Sequence, residues 1–388
     1  MLHKIPAKLA AAFIAASALA ACVSTELTVI GGTLAATSIA PDSLPGWSAD
    51  NLAGMDAAIQ RQCDLIAPPG PWLRLCAEFA QQRSDLKPWI AKRFKAWSVL
   101  GRDNTDAGLI TGYYEPILSG SRGKENDRQA PLYKRPTDLV RIEIPSSQDP
   151  AASTTSSRLR GRLLQDRVVP YYTRAEIDSR GVLNGQELIW LDDPIDAFFL
   201  HIQGSGRVKL RDGSTIRVVF GDTNGHSYRP IGRVMVDRGH LAQGDVSAQT
   251  IKRWLRDNPQ QAPDVMNANP RYIFFREQAE GAPDLGPPGS LTVPLAPLRS
   301  IASDARVIPP GSLVFMQTTH PATRQPMERL MISQDTGIAI VGPVRADVFW
   351  GNGEDAEKNA GLMQEKGRLW LLWPDDQEAP PHRSLGDR

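Results

Sequence analysis

The run ERLMISQDTGIAIVGPVRADVFWGNGEDAEKNAGLMQEKGRLWLLWP, Glu328 to Pro374, decides how this chain folds. It reads as a strand (Leu330 to Ser333), a turn at Asp335-Thr336-Gly337 and a second strand (Ile338 to Val341). Gly342-Pro343 leads through Arg345-Ala346-Asp347 to Phe349-Trp350 and a Gly351-Asn352-Gly353 turn. A helical segment, Glu354 to Met363, and a closing strand, Arg368 to Trp373, follow. Short β segments punctuated by Gly, Pro and Asp predict a small barrel. Asp347 is the chemically distinctive residue. Beside Val348, Phe349 and Trp350, desolvation would raise its carboxyl pKa, as a general acid near neutral pH requires. The same residue also fits a turn aspartate ion-paired with Arg345, and local sequence leaves both readings open.

The chain has 388 residues, 41% of them hydrophobic, which is more than one typical domain needs, so two are expected. The formal net charge is +1, with no basic run interleaved with aromatics, so nucleic-acid binding has no support. With 32 Gly and 31 Pro and few long periodic helices, β-rich structure is favoured over a bundle. The six histidines show no paired ligand spacing, and neither H-E-x-x-H nor C-x-x-C occurs, so no metal is expected. No G-x-S-x-G elbow is present, which weakens a serine hydrolase reading, and Gly204-Ser205-Gly206 introduces no nucleotide-binding helix, which leaves a phosphate-loop reading weak; no cofactor is expected.

The N-terminus carries lysines at 4 and 8 and then an apolar, Ala-rich stretch from Leu9 to Ala21, too short to span a bilayer. This is the pattern of a secretory signal over residues 1–21. It ends Leu19-Ala20-Ala21-Cys22, which resembles the bacterial lipobox, whose cysteine is lipidated. Val23 follows where an aspartate would mark inner-membrane retention, so the resemblance implies an outer-membrane anchor facing the periplasm. Simple cleavage with free secretion is the alternative. Residues 22–41 read as a tether. With Cys22 lipidated, Cys63 and Cys76 remain as a pair in an oxidising space, separated by a Pro/Gly turn that lets two helices bring them together.

Helical periodicity begins after Asp50 and recurs over Trp72 to Gln82 and Lys87 to Leu100. At Leu109 the texture changes to LITGYYEP, where Thr111, Tyr113, Tyr114 and Glu115 gather a hydroxyl, two phenols and a carboxylate. Such an inventory can grip a sugar, and it equally suits a strand with core tyrosines. Pro145 to Ser157 is polar and low in complexity, a surface loop. Strands are expected at Glu187 to Trp190, Ala197 to Gln203 and Ile216 to Phe220, with Gln203-Gly204-Ser205-Gly206 as a turn. His226, Tyr228 and Arg229 follow an Asn224-Gly225 turn and could reach a ligand. Ser247 to Arg256 reads as a helix, Asn269 to Phe275 and Ser312 to Gln317 as strands, and Asp375 to Arg388 as a polar disordered tail.

Taken together, TGYYEP (Thr111 to Pro116), PLY (Pro131 to Tyr133), DAFFLHIQGSG (Asp196 to Gly206), NGHSYRPIG (Asn224 to Gly232), NPRYIFF, IPPGSL and Arg329 to Gly361 resemble the membrane-bound lytic murein transglycosylase A family. The segments occur in family order over most of Leu109 to Pro374. The resemblance implies a mainly β fold with a helical N-terminal support. A double-psi β-barrel domain would span 42–116 and 271–376, with a second small β-barrel domain, 117–270, inserted and a glycan-binding groove between them. The family's C-terminal part, about 291–374 here, is named for three aspartates, matched by Asp304, Asp335 and Asp347.

The implied reaction is cleavage of the β-1,4 bond between N-acetylmuramic acid and N-acetylglucosamine, with the muramyl 6-hydroxyl as nucleophile and a 1,6-anhydro end as product. A single acid/base then suffices, and the family pattern gives that role to Asp347, with Asp335 in support. Arg345 is expected to point elsewhere, since pairing with it would lower the Asp347 pKa and hinder acid catalysis. Thr111 matches a glycan-contacting threonine, and Tyr113, Glu115, Gln203, Gly204 and Ser205 are further expected contacts. Implied partners are peptidoglycan strands, the outer membrane through the lipid and other murein enzymes, with a monomer as the default. Two rival readings are a hydrolytic muramidase, pairing Asp347 with Glu115 or Asp335, and a non-catalytic peptidoglycan-binding scaffold.

Overall fold

The structure, a computed structural model, describes residues 34–65, 67–82, 86–101, 103–144, 157–377 and 380. The leader, Cys22 and most of the expected tether therefore lie outside the described residues, as do nearly all of the 145–157 loop and the end of the tail.

The chain opens with β1 (Leu34–Ile39), α1 (Met55–Cys63), α2 (Trp72–Gln82), α3 (Leu86–Arg93), β2 (Phe94–Val99) and β3 (Gly108–Glu115). The middle comprises β4 (Ile117–Ser121), β5 (Ala130–Tyr133), β6 (Leu139–Ile144), β7 (Ser157–Leu164), β8 (Arg167–Pro170), α4 (Arg174–Arg180), β9 (Glu187–Leu191) and α5 (Pro194–Gln203). It continues with β10 (Ser205–Lys209), β11 (Thr215–Thr223), α6 (Ile231–Asp237), α7 (Ala248–Asp257), α8 (Ala262–Asn267) and β12 (Ile273–Gln278). The last part is β13 (Ser300–Ser303), β14 (Leu313–Thr319), β15 (Pro326–Asp335), β16 (Arg345–Asn352), α9 (Glu354–Leu362) and β17 (Gln364–Pro374).

The first and last parts share one sheet, ordered β1-β2-β17-β14-β15-β13-β16-β3. β17 is long enough to pair with β3 as well, through Gln364 to Gly367, so the six strands from β17 round to β3 close on themselves. Closure removes the edges that an open sheet would expose. It also explains the composition of β14, whose two faces are both buried. Val314 and Met316 point into the barrel with Ile110, Met331 and Val348. Leu313 and Phe315 point outward, beneath Trp47, Ile59, Trp72 and Phe79 of the N-terminal segment. The helices thus cover one side of the barrel, and a disulfide between Cys63 and Cys76 (Cα–Cα 5.5 Å) ties α1 to α2.

The middle of the chain builds a separate six-stranded sheet, β12-β11-β10-β4-β9-β5, with α5 and α7 packed together near it. Strand pairing carries this unit through Gln278, because β12 pairs with β11. A three-stranded ribbon, β6-β7-β8, is attached to it.

Three local expectations are corrected. The helix expected over 87–100 stops at Arg93, and Phe94–Val99 is a strand, because Phe94 and Ala96 alternate into the helix-facing core while the backbone pairs with β17. The strand expected over 197–203 is helix α5. Asp193 caps it by accepting from Ile195 N at 2.8 Å, Pro194 occupies its first turn, and Gly204 ends it at φ 84°. Its residues are apolar nearly all round, which a buried helix and a buried strand share. The segment from Ile338 to Val341 is a turn region rather than a strand, with Ile338 and Val341 more than half exposed.

Candidate active site

The register of the barrel brings the polar residues together. Read across the ladders β15, β13, β16, β3 and β17, Asp335 stands opposite Ala302, Ala302 opposite Asp347, Asp347 opposite Thr111, and Thr111 opposite Gln364. Residues opposite one another share a face, so one row across five strands carries both aspartates and the threonine. Asp335 joins this row only through a bulge. Ile301 pairs with Ser333 and Ala302 with Asp335, which leaves Gln334 as an extra residue in β15. Gln334 is fully buried, and its Oε1 accepts from Ser300 Oγ at 2.6 Å, so the bulge is anchored. Ala302 contributes only a methyl group between the two carboxylates.

The two aspartates sit in different surroundings. Asp347 Oδ1 accepts from Thr111 Oγ1 at 2.5 Å. Burial pushes its carboxyl up to about 6, and the negative charge of Asp335 adds to the rise, against the Thr111 hydrogen bond and the charge of Arg345. Asp335 instead receives three donors: Tyr113 Oη on Oδ2 at 2.9 Å, and the Ser290 and Thr336 amides on Oδ1, each at 2.9 Å. Burial raises its carboxyl too, while these donors favour the charged form. Tyr113 is fixed by that bond and by its ring against Phe349, 5.3 Å between centroids. Arg345 makes no ion pair with Asp347. Its Nη1 donates to the carbonyls of Leu109 (3.3 Å) and Ala346 (2.6 Å), although its charge still acts on Asp347 through space.

The third aspartate of the expected trio, Asp304, does not share this role. It is buried, paired with Arg306 at 2.6 Å, and receives the Gly342 amide at 2.8 Å. Despite burial, these partners hold its carboxyl below the usual range, so it ties the turn after β13 to the Gly342 segment that leads into β16.

The expectation for Glu115 is corrected. Its side chain is fully buried, with Arg207 Nε at 3.0 Å and Arg217 Nε at 2.6 Å, and both arginines also donate to the Leu285 carbonyl at 2.8 Å. Such a carboxylate joins β3 to β10, β11 and the 280–285 loop, and it has no surface to offer a sugar. Gln203, Gly204 and Ser205 lie where α5 turns into β10, each half-buried, and Gln203 Oε1 accepts from Tyr114 N at 3.4 Å. Gly206 belongs to this corner for steric reasons: a Cβ there would stand 2.7 Å from Leu200 and 3.2 Å from Pro116. His226 instead binds the Tyr171 carbonyl through Nε2 at 2.7 Å, within the second unit. Among the described residues no group of His, Cys, Asp or Glu is arranged to hold a metal ion.

Ser290, Gln364 and the Gln334 bulge were not singled out from sequence. Ser290 and Gln364 act by position, one through an amide and one through register. The bulge had no local mark, since Gln334 sits in an unbroken β pattern.

Known proteins resemble this chain over most of its length. The family model described as the MltA specific insert domain matches residues 109–276, and the 3D domain model matches residues 299–373. Membrane-bound lytic murein transglycosylase A of Escherichia coli K12 is 30% identical over 284 residues, 71% of this chain and 68% of that protein. The crystal structure of MltA from Neisseria gonorrhoeae is similar over 90% of this chain and 94% of that one, with 34% identity and a TM-score of 0.73. A membrane-bound lytic murein transglycosylase from Agrobacterium tumefaciens covers 89% of this chain and 98% of its own, with 29% identity and a TM-score of 0.74. With the two family models falling on the segments that supply Thr111 and both aspartates, the chain belongs to the membrane-bound lytic murein transglycosylase A family.

Proposed function

We propose that this protein is a lytic transglycosylase that cleaves the β-1,4 bond between N-acetylmuramic acid and N-acetylglucosamine, with Asp347 as its single acid/base. The observation that carries this reading is the contrast between the two carboxyls of the site. Asp347 has one hydroxyl partner and a carboxyl raised to about 6, so a protonated fraction is available near neutral pH. Asp335 has three donors on its oxygens, which favour its charged form against a burial that still leaves its carboxyl above the usual range.

The protonated Asp347 gives its proton to the glycosidic oxygen as the C1–O bond breaks and the N-acetylglucosamine end leaves. The muramyl 6-hydroxyl attacks C1, and its proton passes to the Asp347 carboxylate. The acid is regenerated and no water is consumed. Thr111 orients the carboxyl, and the charge of Asp335 favours the positive character that develops at C1. The hydrolytic alternative needs a second, water-activating carboxylate. Glu115 is buried between two arginines and Asp335 is occupied by three donors, which weighs against either.

We further propose the double-psi form for the closed barrel, with the inserted domain running from 117 past the expected boundary at 270 to 278, because β12 pairs within it, and with Gln203 to Ser205 lining the glycan groove. The proposed setting is the periplasm, with Cys22 anchoring the protein to the outer membrane. Mass spectrometry of fragments released from purified sacculi tests the reaction. Muropeptides one water lighter than reducing-end products, with no label gained in heavy-oxygen water, are expected. Reducing ends carrying the label would establish a hydrolase instead.

A further inference from the structure

The barrel row beside the one carrying Asp347 is basic. In the same register, Arg345 on β16 stands opposite Leu109 on β3, and Leu109 opposite Lys366 on β17. Each of these residues lies two positions from a member of the Asp347 row, so the two rows share a face about 7 Å apart along the strands. Among the described residues no carboxylate lies within 4.0 Å of the charged end of Arg345 or Lys366. Leu109, between them, is 41% exposed. Beyond Lys366 the face falls into a depression of about 370 Å³, lined in part by Lys366, Arg324, Arg368 and Thr319. Arg324 and Arg368 pair with Glu365 and Asp106 yet remain 62% and 48% exposed. Glu328 also lines the depression and accepts from Gln317 Nε2 at 2.9 Å.

Two cations without carboxylate partners, flanking an exposed leucine, complement in charge and polarity a ligand carrying carboxylates and small apolar groups. We infer that this row and the depression beyond it form a subsite for the carboxylate-bearing peptide that hangs from the muramyl residue. This rests on the reading of peptidoglycan as the substrate. A muramyl unit cleaved at Asp347 would hold its attached peptide within one row of the barrel, where Arg345 and Lys366 meet its acidic groups and Leu109 its methyl groups.

Calorimetric binding to the full chain carrying Asp347→Asn tests this without turnover. The two probes are a peptide-bearing muramyl oligosaccharide and a neutral N-acetylglucosamine hexamer. Adding Lys366→Glu is expected to weaken the first about tenfold, less at high salt, and to leave the hexamer unchanged. Lys366→Gln should give a smaller loss of the same selectivity. Equal weakening of both probes, or no change in either, would overturn the subsite. Absence of binding by both probes to the parent protein would refute the peptidoglycan reading and the subsite with it. Lys366-dependent binding in a protein whose wild type releases no anhydro product would leave the subsite standing and refute only the reaction.

Discussion

At the scale of single residues, the account turns on one proton. Asp347 is held near 6 by burial, and the Thr111 hydroxyl works against that rise. Activity should therefore fall as pH climbs above about 6, because the acid form is depleted. Thr111→Val removes a bond that favours the carboxylate, so it should move the alkaline limb of the pH–rate profile upward. Loss of orientation should at the same time lower kcat roughly tenfold. An unchanged limb would mean that the short Thr111–Asp347 bond has no bearing on the working acid. The same burial has a cost in stability. Unfolded, the carboxyl titrates near 3.8 and folded near 6, so its contribution is fully favourable below pH 3.8 and is lost as pH rises to 6. Asp347→Asn should consequently raise the melting temperature above pH 6, by roughly 1–3 kcal/mol in stability, with the gain fading below pH 4. Melting curves of both proteins across that range decide it. A variant less stable at pH 7 would contradict the desolvation argument.

At the scale of elements, β3 is the strand on which everything converges. Its outward residues face the site, its inward ones fill the barrel core, and at Pro116 it hands the chain to the second sheet. Gly112 on the inward face has Trp350 Nε1 2.5 Å from where a Cβ would sit, so any larger residue would push β3 off its neighbours. Glu115 ends the strand as a buried partner of two arginines. Glu115→Gln should cost about 3–5 kcal/mol, read by denaturant unfolding, because it leaves two buried cations underpaired. A loss below about 1 kcal/mol would show that the triad contributes little. Thr111 and Asp347 could be singled out only because TGYYEP and RADVFWG match a family's segments in order; the local residues alone leave Asp347 open between an acid and an ion-paired turn aspartate. Sequence did not make Glu115 legible, since Arg207 and Arg217 are supplied from some hundred residues away. Nor could it reveal the Gln334 bulge, which is a property of the β13–β15 pairing and not of β15 alone. The strand misread as helix at Phe94 and the helix misread as strand at Ala197 share one cause. Short apolar runs take their form from the surface they are packed against.

At the scale of the molecule, the N-terminal helices cover the outward-facing core of the barrel and are clamped by Cys63–Cys76. The bond spans a sequence separation of 13, so its removal in a Cys63→Ser, Cys76→Ser protein should cost about 3 kcal/mol by loop entropy. Catalysis by the folded fraction should be retained, because among the described residues no side-chain hydrogen bond joins these helices to the Asp347 row; α1 stops one residue short of it, where Gln334 Nε2 donates to Gln62 Oε1 at 3.4 Å. Loss of turnover in protein still fully folded would show that the helical support shapes the site.

The central claim, that one carboxyl does the chemistry and a second only supports it, is tested most directly by Asp347→Asn beside Asp335→Asn. The rate of anhydro-muropeptide release from sacculi should be measured for each. The account predicts no detectable release from Asp347→Asn, and a partial loss of about ten- to a hundredfold from Asp335→Asn with the product unchanged. Anhydro product from Asp347→Asn at a rate near that of the wild type, or an Asp335→Asn protein equally silent though folded, would contradict it.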